Sequence, residues 1–85
     1  MYGIQYSKEA RKFLKAQDKK TAFKIVHKIE FLSTDPYAEN NNVTKLQGRD
    51  GYRLRVGDIR VIYNIYNDVL LISVVKIGFR GDIYD

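Results

Sequence analysis

Arg53, Arg55 and Arg60 stand close together in the run Tyr52-Arg53-Leu54-Arg55-Val56-Gly57-Asp58-Ile59-Arg60. A guanidinium is permanently charged and presents a planar fork of donors that matches a phosphate group. Gly57-Asp58 puts glycine at the first central position, which suits a two-residue type II′ hairpin turn. That turn pairs Val56 with Ile59, Arg55 with Arg60 and Leu54 with Val61. Arg55 and Arg60 then face each other, with Arg53 two residues along on the same side. Like charges directly opposite destabilise a sheet, so the arrangement points to an anion held between them. Two plainer readings stay open. Arginines on an exposed strand face also discourage edge-to-edge aggregation, and a carboxylate such as Asp50 or Asp82 would neutralise the cluster. A one-residue slip would send Arg53 and Arg55 to the face opposite Arg60.

The C-terminal run Gly78-Phe79-Arg80-Gly81-Asp82-Ile83-Tyr84 adds another guanidinium, two aromatic rings and two glycines. Aromatic rings stack on unpaired bases while cations hold the backbone, a pairing typical of single-stranded RNA sites. Phe79 equally suits a plug of apolar area at the end of the sheet. His27, the one histidine, lies between Val26 and Lys28 and reads as a helix-surface residue. No histidine pair, metal-ligand cluster, phosphate-binding glycine loop or nucleophile elbow is present in the sequence. Chemistry here falls to Arg, Lys, Tyr or carboxylates. The set points away from a small-molecule enzyme and implies no metal and no cofactor.

The elements that must position these residues follow from periodicity. The segment Tyr2 to Tyr6 alternates and predicts a short strand. Ser7 suits a helix N-cap with Glu9 in the first turn, and Asp18 a second N-cap. Ala22, Ile25, Val26, Ile29 and Leu32 form an apolar stripe at helical spacing. Asp35-Pro36 stops that helix, and Tyr37 to Thr44 reads as a loop. The period then changes to two, predicting strands over Tyr52–Val56, Ile59–Tyr66 and Val69–Ile77. The order is βααβββ: an α+β domain over residues 1–85, with an antiparallel sheet and a helical hairpin packed on one face.

At 85 residues such a domain buries only about 60–65% of its unfolded surface, so its core is modest. There is no cysteine for a disulfide or thiolate. No apolar run approaches the roughly 20 residues of a membrane helix, and no signal-peptide pattern opens the chain. A cytoplasmic location is expected, with no membrane partner. Lys and Arg number 15 against 10 acids, a net charge of +5, which suits a polyanionic partner and, equally, a merely solvated basic surface. Lys8, Arg11, Lys12, Lys15, Lys19, Lys20, Lys24 and Lys28 all fall on the two predicted helices.

Lys45-Leu46-Gln47-Gly48, the run from Gly51 to Tyr63, Ile77-Gly78-Phe79-Arg80 and Ile83-Tyr84 resemble the RelE/ParE superfamily of toxins of bacterial type II toxin–antitoxin systems. The element order matches over nearly the whole chain, and the motifs sit closest to the RelE-like messenger-cleaving branch. That resemblance implies an endoribonuclease that cuts mRNA in the ribosomal A site through attack of the ribose 2′-hydroxyl on its adjacent phosphate. It assigns catalysis to Arg53, Arg55, Arg60, Arg80 and Tyr84. RNA or ribosome contact is expected from Lys45, Arg49, Phe79, Lys8, Lys12 and Lys19, by a salt-sensitive phosphate attraction. It also implies a cognate antitoxin, with operator DNA contacted only through that antitoxin. Two departures bear on mechanism. Some members carry lysine at the Arg53 and Arg55 positions, and arginine is a poor general base. Many carry histidine where Phe79 stands. The alternatives are a ParE-like toxin acting on DNA gyrase, or an inert RNA- or ribosome-binding module.

Overall fold

The computed structural model describes residues 1–83. Its elements run β1 (Gly3–Tyr6), α1 (Lys8–Lys15), α2 (Lys19–Leu32), β2 (Val43–Lys45), β3 (Tyr52–Val56), β4 (Ile59–Tyr66) and β5 (Leu71–Phe79). Ser7 caps α1: its Oγ accepts from the Ala10 N–H at 3.0 Å. The same Oγ donates to the Val75 carbonyl at 2.7 Å, which ties the start of α1 to β5. Asp18 occupies the N-cap of α2 without a side-chain capping bond. At the far end of α2 the hydroxyls of Ser33 and Thr34 donate to the Glu30 and Phe31 carbonyls, satisfying groups that the helix leaves orphaned.

The five strands lie in the order β1-β5-β4-β3-β2. The α+β class and the helical hairpin on one sheet face are as the sequence predicts, and the structure adds two features. Val43–Lys45 forms a short edge strand inside what reads as a loop, paired antiparallel to β3. β1 lies parallel to β5, with Ile4 beside Ile72, while the other pairs are antiparallel. β5 also starts later and ends later than its alternation suggests. Residues 67–70 form the preceding turn, with Leu70 at φ 49. The pairing between β4 and β5 then slips at Ile62/Tyr63, so that Ile62 faces Lys76 and Tyr63 faces Val74, leaving Val75 as an extra residue. Such a bulge reverses which residues point to which face. Ile72, Val74 and Ile77 therefore all point inward.

The core lies between the helices and one sheet face. Ile25 and Ile29 of α2 meet Leu54, Val61, Tyr63, Ile72 and Val74, all at 2% exposure or less. Burying a side chain of this size stabilises by about 1.5–3 kcal/mol. The opposite face carries a smaller cluster, Leu46, Ile62 and Ile83. Ile83 sits against Gly78, where an added Cβ would come within 2.8 Å of its Cδ1. The C-terminal segment thus folds back over β5, and β3 with β4 carries the arginines beside it. Among the described residues no helix is long and apolar enough to cross a membrane.

Candidate functional site

The site begins with the turn between β3 and β4. Gly57 has φ 59 and is followed by Asp58, which lies outside the positive-φ residues, as a type II′ turn requires. The register is the one the turn dictates: Val56 with Ile59, Arg55 with Arg60, Leu54 with Val61. The Arg55 N–H donates to the Asn42 carbonyl at 2.8 Å, so it points toward β2 rather than β4. Arg55 and Arg60 are therefore a non-hydrogen-bonded pair, the closer of the two antiparallel arrangements, with Cα atoms about 4.5 Å apart. Their side chains are set side by side by the backbone itself.

Each of these two guanidiniums is held by neutral acceptors. Arg55 donates through Nε and Nη2 to Asn42 Oδ1, at 3.3 and 3.0 Å. Asn42 is itself fixed, because its N–H donates to Asn40 Oδ1 at 2.8 Å. Arg60 donates through Nη1 to the Gly57 and Ile59 carbonyls, at 2.8 and 3.1 Å. Neutral acceptors orient the forks without cancelling their charge. Arg53, opposite Ile62 on the same face, joins Arg55, Arg60, Asn41, Asn42 and Thr44 around a cavity of about 150 Å³. No carboxylate is among the described residues lining it. This space is below the roughly 300–1,000 Å³ of a drug-sized ligand pocket; it suits an anionic group and not a whole nucleoside.

The remaining predicted residues are distributed around this centre. Arg80 follows β5, and its N–H donates to the Asp58 carbonyl at 2.8 Å, which places its backbone beside the hairpin turn. Its side chain is exposed and is not among those lining the cavity. Tyr84 lies outside the described residues. The bulge at Val75 turns Phe79 to the helix face, where its ring meets Phe13 edge-on at 5.4 Å and stays 46% exposed. It plugs the sheet end on the side away from the arginines. Lys45 pairs with Tyr52 on β2 and holds its ammonium 5.5 Å from the centre of that ring, also away from the arginine cavity. Arg49 is exposed in the loop before β3. Lys8 and Lys12 line a groove along α1 with Arg11 and Lys15, and Lys19 is exposed at the start of α2. These helices cover the opposite sheet face, so their lysines form a basic surface separate from the arginine site.

Asn41, Asn42 and Thr44 escape the sequence reading. The run Asn40-Asn41-Asn42 marks a loop, and only the short β2 carries it to the arginines. The tyrosines in the core do not supply a base. Burial raises the Tyr63 hydroxyl far above its ordinary value of 10.0, with Tyr52 adding to the effect. Burial, then Glu30, raises Tyr6 in the same direction.

Solved structures share this architecture. The RelE–RelB complex of Pyrococcus horikoshii OT3 contains a chain 29% identical to this one, with a TM-score of 0.82, covering 96% of this chain and 98% of that one. The intact E. coli RelBE toxin–antitoxin complex gives 20% identity and a TM-score of 0.79, over 93% and 96% of the two chains. The RelBE2 toxin–antitoxin complex of Mycobacterium tuberculosis gives 19% and 0.75, over 93% and 98%. No curated protein matches the chain. The family described as the ParE toxin of the type II toxin–antitoxin system parDE matches residues 4–84. The chain therefore belongs to that toxin family, within the RelE/ParE superfamily of type II toxin–antitoxin systems.

Proposed function

We propose that this toxin is an endoribonuclease that cuts messenger RNA in the A site of the ribosome. The observation that supports the reading is the opposed pair Arg55 and Arg60, held by neutral acceptors around a cavity whose described lining contains no carboxylate. In the reaction, the 2′-hydroxyl oxygen bonds to the adjacent phosphorus and the bond to the next 5′-oxygen breaks. A proton leaves the 2′-oxygen and one arrives on the departing oxygen. Extra negative charge gathers on the phosphoryl oxygens between those events. Arg55 and Arg60 stabilise that charge, each well-aimed donor contributing about 3–4 kcal/mol, and Arg53 adds to the field. Arg80, whose backbone lies beside the hairpin turn, is given a share in holding the phosphate by the resemblance. Arginine does not serve as the base; the resemblance gives the 2′-hydroxyl proton, or stacking on a base, to Tyr84. The need for a 2′-hydroxyl makes DNA a non-substrate.

The similar structures from P. horikoshii and E. coli are complexes of a toxin with an antitoxin. We extend that partnership to this chain: a cognate antitoxin covers the toxin in the cytoplasm and carries the contact with operator DNA. Lys8, Lys12, Lys19, Lys45 and Arg49 give a salt-sensitive attraction to ribosomal RNA. The family's ParE description favours one other reading, a poison of DNA gyrase. Inducing the protein and mapping messenger 5′ ends separates the two. Codon-phased cuts that vanish in Arg60→Ala support the nuclease. DNA breaks with an SOS response and no such cuts support the gyrase reading. Cuts that persist unchanged in both Arg55→Ala and Arg60→Ala overturn the site.

A further inference from the structure

A second cavity, of about 340 Å³, opens at the other end of the β3–β4 hairpin, among Tyr37, Lys45, Asp50, Tyr52, Asn64 and Tyr66. We propose that it binds an unpaired nucleobase of the RNA that the arginines engage, or of the ribosome beside it; the proposal rests on the RNA reading above. Its chemistry differs from that of the arginine cavity. Lys45 and Asp50 offset each other, so the space is no anion trap. Three tyrosines supply aromatic surface, and stacking accepts any base because every base has a π-face. The Asn64 amide and the Asp50 carboxylate add a donor and acceptors for a base edge. The volume is at the small end of the roughly 300–1,000 Å³ that hold small organic ligands.

The walls are built rather than accidental. Tyr52 is fixed by stacking on buried Tyr63 at 5.6 Å and by the edge of Tyr37 at 6.5 Å. The Tyr37 hydroxyl donates to Asn67 Oδ1 at 3.0 Å, which clamps its loop to the β4–β5 turn. The absence of a side chain at Gly51 lets Asn64 approach: an added Cβ would come within 2.6 Å of Asn64 Oδ1. Tyr66 is 46% exposed and leaves a ring face for a ligand. The two cavities meet at the outer edge of the sheet: Thr44 and Arg53 line the first, and the next rung, Lys45 and Tyr52, turned to the other face, lines the second. From Arg60 to Asn64 the distance along β4 is about 13 Å at the usual strand rise, more than one nucleotide step along an extended strand.

The test uses the full chain and a short fluorescent oligoribonucleotide, intact or with one abasic residue, in a low-salt anisotropy titration. Removing the base should weaken binding about tenfold, the scale of one base stacked on an aromatic ring. Tyr66→Ala should lose about the same factor and cease to distinguish the two oligonucleotides, while Tyr66→Phe, which keeps the ring, should restore the ratio. A Tyr66→Ala protein that keeps the wild-type ratio overturns the proposal. The binding needs no cleavage, so the two readings fail separately. A chain that never cuts messenger but shows the ratio retains the base cavity. One that cuts through Arg60 without the ratio loses only this inference. On ribosomes, a changed nucleotide preference around the cuts in Tyr66→Ala assigns the base to the messenger. An unchanged preference with altered chemical protection of a ribosomal RNA base assigns it to the ribosome. A variant that alters neither overturns the proposal.

Discussion

The opposed arginines should weaken the fold they decorate, and a double-mutant cycle on Arg55 and Arg60 measures by how much. The register places the two side chains directly opposite in a non-hydrogen-bonded pair, with Arg55 exposed and Arg60 half-buried. A like-charged pair in this position costs about 0.2–1 kcal/mol, and about 0.5 kcal/mol is the expected coupling. In a domain of this size that equals about 2–4 °C in Tm. Single variants alone mislead. Arg60→Gln also loses the Nη1 bonds to the Gly57 and Ile59 carbonyls, at roughly 0.5–1.5 kcal/mol each. The cycle of Arg55→Gln, Arg60→Gln and the double variant cancels those losses and leaves the pair. The assay is urea unfolding at low salt and again at about 1 M, where the Debye length falls to about 3 Å and the coupling should vanish. In messenger cleavage each single variant should fall about 10²–10³-fold, as when one charge-stabilising donor is removed. A coupling of zero, or an attractive one, at low salt would mean that a counter-charge already sits between the guanidiniums, and the anion-site reasoning would fail.

Other perturbations read the scaffold. Tyr63 is fully buried and its hydroxyl has no hydrogen-bond partner among the described residues, so Tyr63→Phe should raise stability by about 1 kcal/mol in chemical denaturation. Both Tyr63 and Tyr6 have hydroxyls pushed above 10.0 by burial, so the folded state holds these protons more tightly than the unfolded chain. Their contribution is fully present below pH 10 and is lost as pH rises beyond it. Unfolding curves on either side of that pH should show an alkaline decline that Tyr63→Phe reduces. Gly51 has φ 120, and a Cβ there would meet Asn64 Oδ1 at 2.6 Å and the Tyr63 carbonyl oxygen at 3.1 Å. Gly51→Ala should therefore cost about 1–3 kcal/mol, seen as a lower Tm.

The arginine pair was legible in the sequence because a two-residue turn fixes register, and register fixes faces. Gly57-Asp58 sufficed to place Arg55 against Arg60. The α2 stripe was legible for a similar reason, since Ile25, Ile29 and Leu32 repeat at the helical period. β2 was not, because Val43-Thr44-Lys45 is too short to show alternation. With β2 hidden, the clamp between Asn42 and Arg55 was hidden as well. The parallel pairing of β1 with β5 joins the two ends of the chain and leaves no local mark. The sequence leaves Phe79 open between an RNA contact and a plug at the end of the sheet. Val75, the extra residue of the bulge, turned it to the helices, and nothing in a run of Leu, Ile and Val announces where a bulge will fall.

β2 is the outermost strand of the sheet, and the asparagine loop before it supplies one wall of the arginine cavity. Asn41 and Asn42 there are exposed. Natural variation can therefore rewrite that wall, and with it the clamp on Arg55, while the backbones of both arginines stay paired on the interior hairpin. In such an arrangement target preference diverges readily between descendants, and the reactive centre is inherited intact.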